Sequence, residues 1–268
     1  MTEEPTPDSN DAETAFSFRL ERDSEDDTEN RPAFYAARAG GWRDWWTLLH
    51  PPYTAWHLGY VVIGACLAPT VNLTRLVATL LAFFCAVGLA AHSLDELNGR
   101  PLGTHIPRGA LVAITVIGLA AAVALGIAGV SRVGWALVPL LVLGPILVVG
   151  YNLELFGGLI HNDVGFALAW GSFPVLVAYV AQTDRLAVSP VIAAAAAFAL
   201  SATQRQLSTR ARLIRRRSRA VGGQITLVSG EEMPINERML LEPLERALLA
   251  MSWAVVLFAA ALAIARLG

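Results

Sequence analysis

Seven stretches of this 268-residue chain run for fifteen or more residues without a single Asp, Glu or Arg. They extend from about Thr54 to Ala68, Leu76 to Ala91, Ala110 to Val130, Trp135 to Gly150, Val164 to Ala181, Val188 to Ala202 and Leu248 to Ala265. A helix needs about 18–20 apolar residues to cross a bilayer, and several of these approach or exceed that length. The pattern predicts an all-α fold, a polytopic membrane helix bundle with about seven transmembrane helices. The first run is short, and an amphipathic lead-in at Trp42, Trp45 and Trp46 extends it at the interface. Those tryptophans, with Trp56, read as an interfacial aromatic belt. The Ala and Gly content of the runs suits helices that approach closely in lipid. A composition 55% hydrophobic and only 16% charged excludes a soluble globular domain.

Charge is distributed very unevenly. All 20 basic residues are Arg, which excludes a lysine nucleophile, a Schiff base and a P-loop lysine. From Met1 to Arg31 eleven acidic residues face Arg19, Arg22 and Arg31. A segment so polar and so poor in aliphatics cannot bury enough surface to fold alone, so residues 1–40 are expected to form a disordered acidic cytoplasmic arm. A cytoplasmic partner would be its counterpart. Residues 41–268 would form the bundle. With the N-terminus inside, fourteen arginines from Arg31 onward fall in inner segments and only Arg75, Arg132, Arg185 and Arg266 in outer ones. This bias places the N-terminus in the cytoplasm and, with seven spans, the C-terminus outside. The longest inner loop, about 208–243, opens with an arginine run from Arg210 to Arg219 and continues with two β-prone runs around Ser229-Gly230 that read as a small hairpin. The arginine run is either a topology determinant against anionic headgroups or an anion site. Cys66 and Cys85 lie in apolar runs and read as small buried hydrophobes.

Ionisable residues at membrane depth mark candidate chemistry. His92, Asp95 and Glu96 close the second span at i, i+3 and i+4, one face of a helix. A histidine with two carboxylates suits either a divalent metal or a shared proton, and Arg100 beyond them suits a phosphate. The segment from Tyr151 to Asp163, with Asn152 and His161, lies on the same predicted face. So does Thr203 to Thr209, where Gln204 and Ser208 stand at i, i+4 beside Arg205. His57 reads as a packed polar residue. Nothing points to nucleic acid, a nucleotide fingerprint or a Ser-His-Asp triad.

In succession, these residues resemble the UbiA superfamily of intramembrane prenyltransferases. The points of contact are His50-Pro51-Pro52 opening the first span, and the polar end of span two running into Gly99-Arg100-Pro101-Leu102. Gly150-Tyr151-Asn152-Leu153 ends span four, Trp170-Gly171 to Pro174-Val175-Leu176 lies in span five, and polar residues close span six. The resemblance implies a helical bundle with a cavity facing the cytoplasm and transfer of an isoprenoid chain from a polyprenyl diphosphate. It also implies two aspartate-rich motifs that hold the diphosphate through Mg²⁺. Here the first motif, Asn-Asp-x-x-Asp in the family, reads Ala91-His92-Ser93-Leu94-Asp95, with Glu96 following. The second would fall near Gln204 and Ser208, which carry no carboxylate.

The resulting expectation is a divergent UbiA-like protein processing a polyprenyl diphosphate at the cytoplasmic face. His92, Asp95 and Glu96 are its catalytic and metal-ligating candidates; Arg100, Asn152, Gln204, Arg205 and Ser208 are its substrate-binding candidates. The metal would be Mg²⁺, or Mn²⁺ or Zn²⁺ given the histidine. Two alternatives use the same scaffold. One is a different metal-dependent centre that adds His161 and Asp163; the other is a non-catalytic protein that binds membrane lipid or a partner.

Overall fold

A computed structural model describes residues 31–268. The acidic part of the arm, residues 1–30, lies outside the described residues. Residues 31–40 pack against the bundle: Ala36 is buried, Ala37 N donates to Thr47 Oγ1 at 3.0 Å and Gly40 N to Asp44 at 2.8 Å.

Eight helices and one hairpin follow. They are α1 Trp42–Leu48, α2 Pro51–Cys66, α3 Leu73–Leu97, α4 Arg108–Val133, α5 Trp135–Asn152 and α6 Asp163–Thr183, then α7 Val188–Arg217, β1 Gln224–Thr226, β2 Glu232–Pro234 and α8 Glu237–Leu267. Five of these, α3, α4, α5, α6 and α8, are long and apolar enough to cross a membrane. The other two expected segments also fall within helices, but α2 has only 16 residues and α7 becomes arginine-rich in its second half. The bundle is all-α apart from the hairpin, in which Gln224 pairs with Pro234 and Thr226 with Glu232 around the turn at Gly230.

Local sequence explains the helix starts. Asn72, Asn162 and Asn236 each cap a first turn by accepting the N–H three residues on, at 2.8–3.0 Å. Pro51 and Pro52 begin α2, where a missing N–H costs nothing. Small residues then bring the helices together. A side chain at Gly64 would overlap the Val175 carbonyl, and one at Gly118 would press on the Cys85 carbonyl, so α2–α6 and α3–α4 contact backbone to backbone. Of the expected aromatic belt, Trp42 and Trp46 are exposed, but Trp56 is fully buried against Tyr60, Val175 and Val255. Trp56 is thus a core residue between α2, α6 and α8, not part of the belt. Cys66 and Cys85 are free thiols.

Two helices change pitch where they pass the interior. Phe84–Ala91 in α3 and Ala167–Ser172 in α6 are π-helical. Such widened turns shift the residues after them around the axis and recur at functional sites. They flank the polar cavity described next, supplying Val87, Ala91 and Trp170 to its wall.

Candidate functional site

The cavity, about 1150 Å³, lies where the polar ends of α3, α5 and α7 meet the α1–α2 junction and the start of α6. Its floor is apolar and aromatic: Val87, Ala91, Tyr151, Phe166 and Trp170. Tyr151 meets Trp170 edge-on at 5.7 Å, and His57 is tied to the Trp170 carbonyl at 2.9 Å. A smaller apolar cavity of about 110 Å³ between α3, α4, α5 and α6 shares the Val87 and Trp170 walls.

One wall is a stripe of α7. Positions 205, 208, 212 and 216 recur at helical spacing, so Arg205, Ser208, Arg212 and Arg216 share a face, with Gln204 beside them. Arg205 is held by Asp163 at 3.3 Å and lies over the Phe166 ring at 5.3 Å. Among the described residues Arg212 reaches only the Thr209 hydroxyl, and Arg216 only the Pro32 carbonyl at 2.9 Å. Neither forms an ion pair with a carboxylate among the described residues. Burial lowers the Arg212 pKa from its ordinary value, and the charges of Arg205 and Arg216 lower it further. Asp95 offsets this in part from the facing end of α3. Arg215, by contrast, is neutralised by Glu245 of α8 at 2.5 Å.

The opposite wall carries imidazoles. His50 sits in the left-handed region, φ 47°, immediately before Pro51-Pro52. That conformation is costly for a non-glycine residue and is kept where the surroundings fix it. Here it aims the ring into the cavity. The ring stacks on His92, and its Nδ1 meets the Tyr35 hydroxyl at 2.8 Å. Burial holds His50 well below the usual histidine pKa, helped by His92, Arg216 and Arg212. Burial likewise raises the Tyr35 phenol well above its ordinary range, with Tyr53 adding to the effect. Four buried polar atoms of cavity residues have no hydrogen-bond partner among the described residues: His50 Nε2, His92 Nδ1, the Tyr151 hydroxyl and Gln204 Oε1. An unpaired buried polar atom costs about 1–3 kcal/mol, so this set suits a polar ligand.

The residues expected from sequence divide sharply. His92, Asp95, Asn152, Gln204, Arg205 and Ser208 all line the cavity. Asn152 donates to the Val148 carbonyl at 2.7 Å while its own carbonyl accepts from Asn98. Ser208 donates back to the Arg205 carbonyl at 3.2 Å. Glu96 and Arg100 do not line the cavity; they build the loop behind it. Glu96 is fully buried and accepts from Leu102 N at 3.0 Å, Thr104 N at 2.9 Å and the Thr104 hydroxyl at 2.8 Å. Arg100 donates to the carbonyls of Thr104 and Ile106 at 2.9 and 2.7 Å.

The triad expected to hold a divalent metal therefore does not assemble. Both Glu96 oxygens are already taken, and no group of three or more His, Cys, Asp or Glu is placed to hold a metal among the described residues. His161 and Asp163 reach the cavity but are otherwise engaged. His161 stacks on Tyr151 at 4.5 Å and bonds its carbonyl, and Asp163 pairs with Arg205. What sequence reasoning missed outright is Tyr35; His50 and Tyr151 fell within the family-like stretches and Arg212 and Arg216 within the arginine run, but none of the four was singled out as a site residue. The 205–212–216 spacing was available as a signal for the arginines; for Tyr35, nothing local was. No protein-family model, curated protein or solved structure matches the chain.

Proposed function

We propose that this protein is a UbiA-like membrane enzyme that binds an isoprenoid diphosphate in the α3–α5–α7 cavity and transfers or processes its isoprenoid group. In this reading α2 and α7 complete seven spans, the arginine-rich ends face the cytoplasm and the C-terminus lies outside. One observation carries the reading: an arginine stripe, a stacked histidine pair and an aromatic floor share one cavity of about 1150 Å³. That combination matches an amphiphile with an anionic head and an unsaturated tail.

The roles follow from the chemistry. The guanidiniums of α7 receive the headgroup and stabilise the charge that accumulates as the C1–O bond ionises. Tyr151 and Trp170 offer ring faces to the allylic cation, and the enclosed floor keeps water away from it. His92, next to Asp95 on the ordered turns of α3, is placed to take the proton released by an acceptor or by the cation itself. Tyr35 fixes the His50 ring, which stacks on His92 and orients it. Glu96 and Arg100 act by holding the loop 98–107.

The test is purified protein in nanodiscs with radiolabelled farnesyl and geranylgeranyl diphosphates, read for binding and for diphosphate release. Saturable binding with release is expected, and Asp95→Asn should lower release while sparing binding. Absence of binding with every chain length would overturn the proposal. A second reading, a lipid-binding protein without chemistry, is favoured by the neutral residues at Gln204 and Ser208. It would show saturable binding with no release.

A further inference from the structure

Resting on that reading, we infer that the diphosphate is held directly by Arg205, Arg212 and Arg216, without a bridging divalent metal. Three observations carry it. First, the carboxylate needed to complete a metal set is spent elsewhere: Glu96 accepts three hydrogen bonds from Leu102 and Thr104 and is fully buried away from the cavity. Second, the cavity-lining positions of α7 on either side of Arg205 include Gln204 and Ser208, whose neutral oxygens cannot balance a dication. Third, positive charge exceeds negative in the cavity lining, with six arginines against the carboxylates of Asp95, Glu154, Asp163 and Glu245. Arg212 and Arg216 are half-buried and have no carboxylate partner among the described residues, and burial together with the neighbouring charges of Arg205 and Arg216 lowers the Arg212 pKa.

A buried cation with no partner is costly, and an anion seated among these side chains relieves that cost. The guanidinium is the fitting group for this work. Its planar fork pairs two phosphate oxygens at once, and it stays charged in a dry site. Asp95 then has a role opposite to that of a metal ligand. It competes with the diphosphate for Arg212, so removing its charge should favour the anion.

Binding of farnesyl diphosphate to the full chain in zwitterionic nanodiscs separates these arrangements, measured in EDTA and then in Mg²⁺. The expected result is equal affinity, within about threefold, in both. Arg212→Gln should weaken binding about tenfold or more, as loss of one charge-assisted contact does, with Arg212→Lys intermediate. Arg246→Gln removes the same charge from an exposed site paired with Glu242 and should change little. Asp95→Asn should leave metal-free affinity unchanged or tighter. Binding that appears only with Mg²⁺, or that Asp95→Asn abolishes, would overturn the inference and leave the isoprenoid reading standing. Failure to bind in either condition would remove that reading as well.

Discussion

The imidazoles of His50 and His92 lie face to face, 4.2 Å between ring centroids and 15° from parallel. The stack joins the α1–α2 junction to the polar end of α3, and it forms because His50 is turned inward by its left-handed backbone. Protonating His50 would place a buried positive charge against the His92 ring and near two guanidiniums.

That geometry gives the fold a defined response to acid. Burial, then His92, Arg216 and Arg212, hold the folded-state pKa of His50 well below its ordinary value. The unfolded chain takes up this proton as pH falls through about 6.5, and the folded chain resists it. The contribution is therefore fully present above about pH 6.5 and is lost as pH falls below it, by at most about 1.4 kcal/mol per pH unit for one group. Thermal midpoints in nanodiscs should drop between pH 7 and 5, and His50→Gln should flatten that slope. Equal slopes for the two proteins would remove His50 from this role.

Glu96 is expected to matter for stability, not for chemistry. Glu96→Ala strands three buried donors in the 98–107 loop and should cost about 3 kcal/mol or more. Glu96→Gln keeps one acceptor and should cost less. Comparing the thermal midpoint with turnover per folded molecule checks this. A variant of unchanged midpoint whose turnover is lost would place Glu96 in the chemistry after all.

The helix contacts rest on particular glycines. A Cβ at Gly171 would meet the Ala197 carbonyl at 2.6 Å and Ser201 Oγ at 2.7 Å, so α6 and α7 would have to separate. Gly171→Ala should cost about 1–3 kcal/mol through overpacking. Gly109→Ala in α4 meets nothing within 4 Å and should be neutral or slightly stabilising. Fluorescence-detected size exclusion after heating ranks the two, and equal survival would contradict the close packing.

How much of this was legible in the sequence depends on distance along the chain. The apolar runs marked the helices because lipid leaves little choice of structure. The polar residues at their ends, His92, Asp95, Gln204 and Arg205, share a cavity because the polar ends of α3 and α7 lie together. Glu96 misled because helical spacing places it one residue from Asp95. Its partners are N–H groups of a loop whose path no spacing rule fixes. Arg212 and Arg216 were submerged in a run that also reads as a topology signal, and only the surrounding helices distinguish the members facing the cavity. Tyr35 lay in a segment whose neighbours are acidic and aliphatic-poor. It orders through His50, fifteen residues on.

The Arg215–Glu245 pair sets stability against binding. Its two contacts, 2.5 and 2.8 Å, tie α7 to α8 with side chains only 9% and 15% exposed. Bidentate, poorly solvated pairs are strong, so replacing the carboxylate in Glu245→Gln should lower stability by about 2–3 kcal/mol. Glu242 pairs with Arg238 and Arg246 one turn away along α8, with both arginines over 70% exposed. Glu242→Gln should cost only about 0.5 kcal/mol. Both Arg215 and Glu245 line the cavity, so losing Glu245 also removes one negative charge beside Arg212, Arg215 and Arg216. Glu245→Gln should therefore bind farnesyl diphosphate several-fold more tightly while unfolding at a lower temperature, whereas Glu242→Gln should do neither. Midpoints and dissociation constants measured on the same nanodisc preparations check this. If Glu245→Gln weakened both quantities together, the pair would be part of the binding wall itself and not a restraint on its charge.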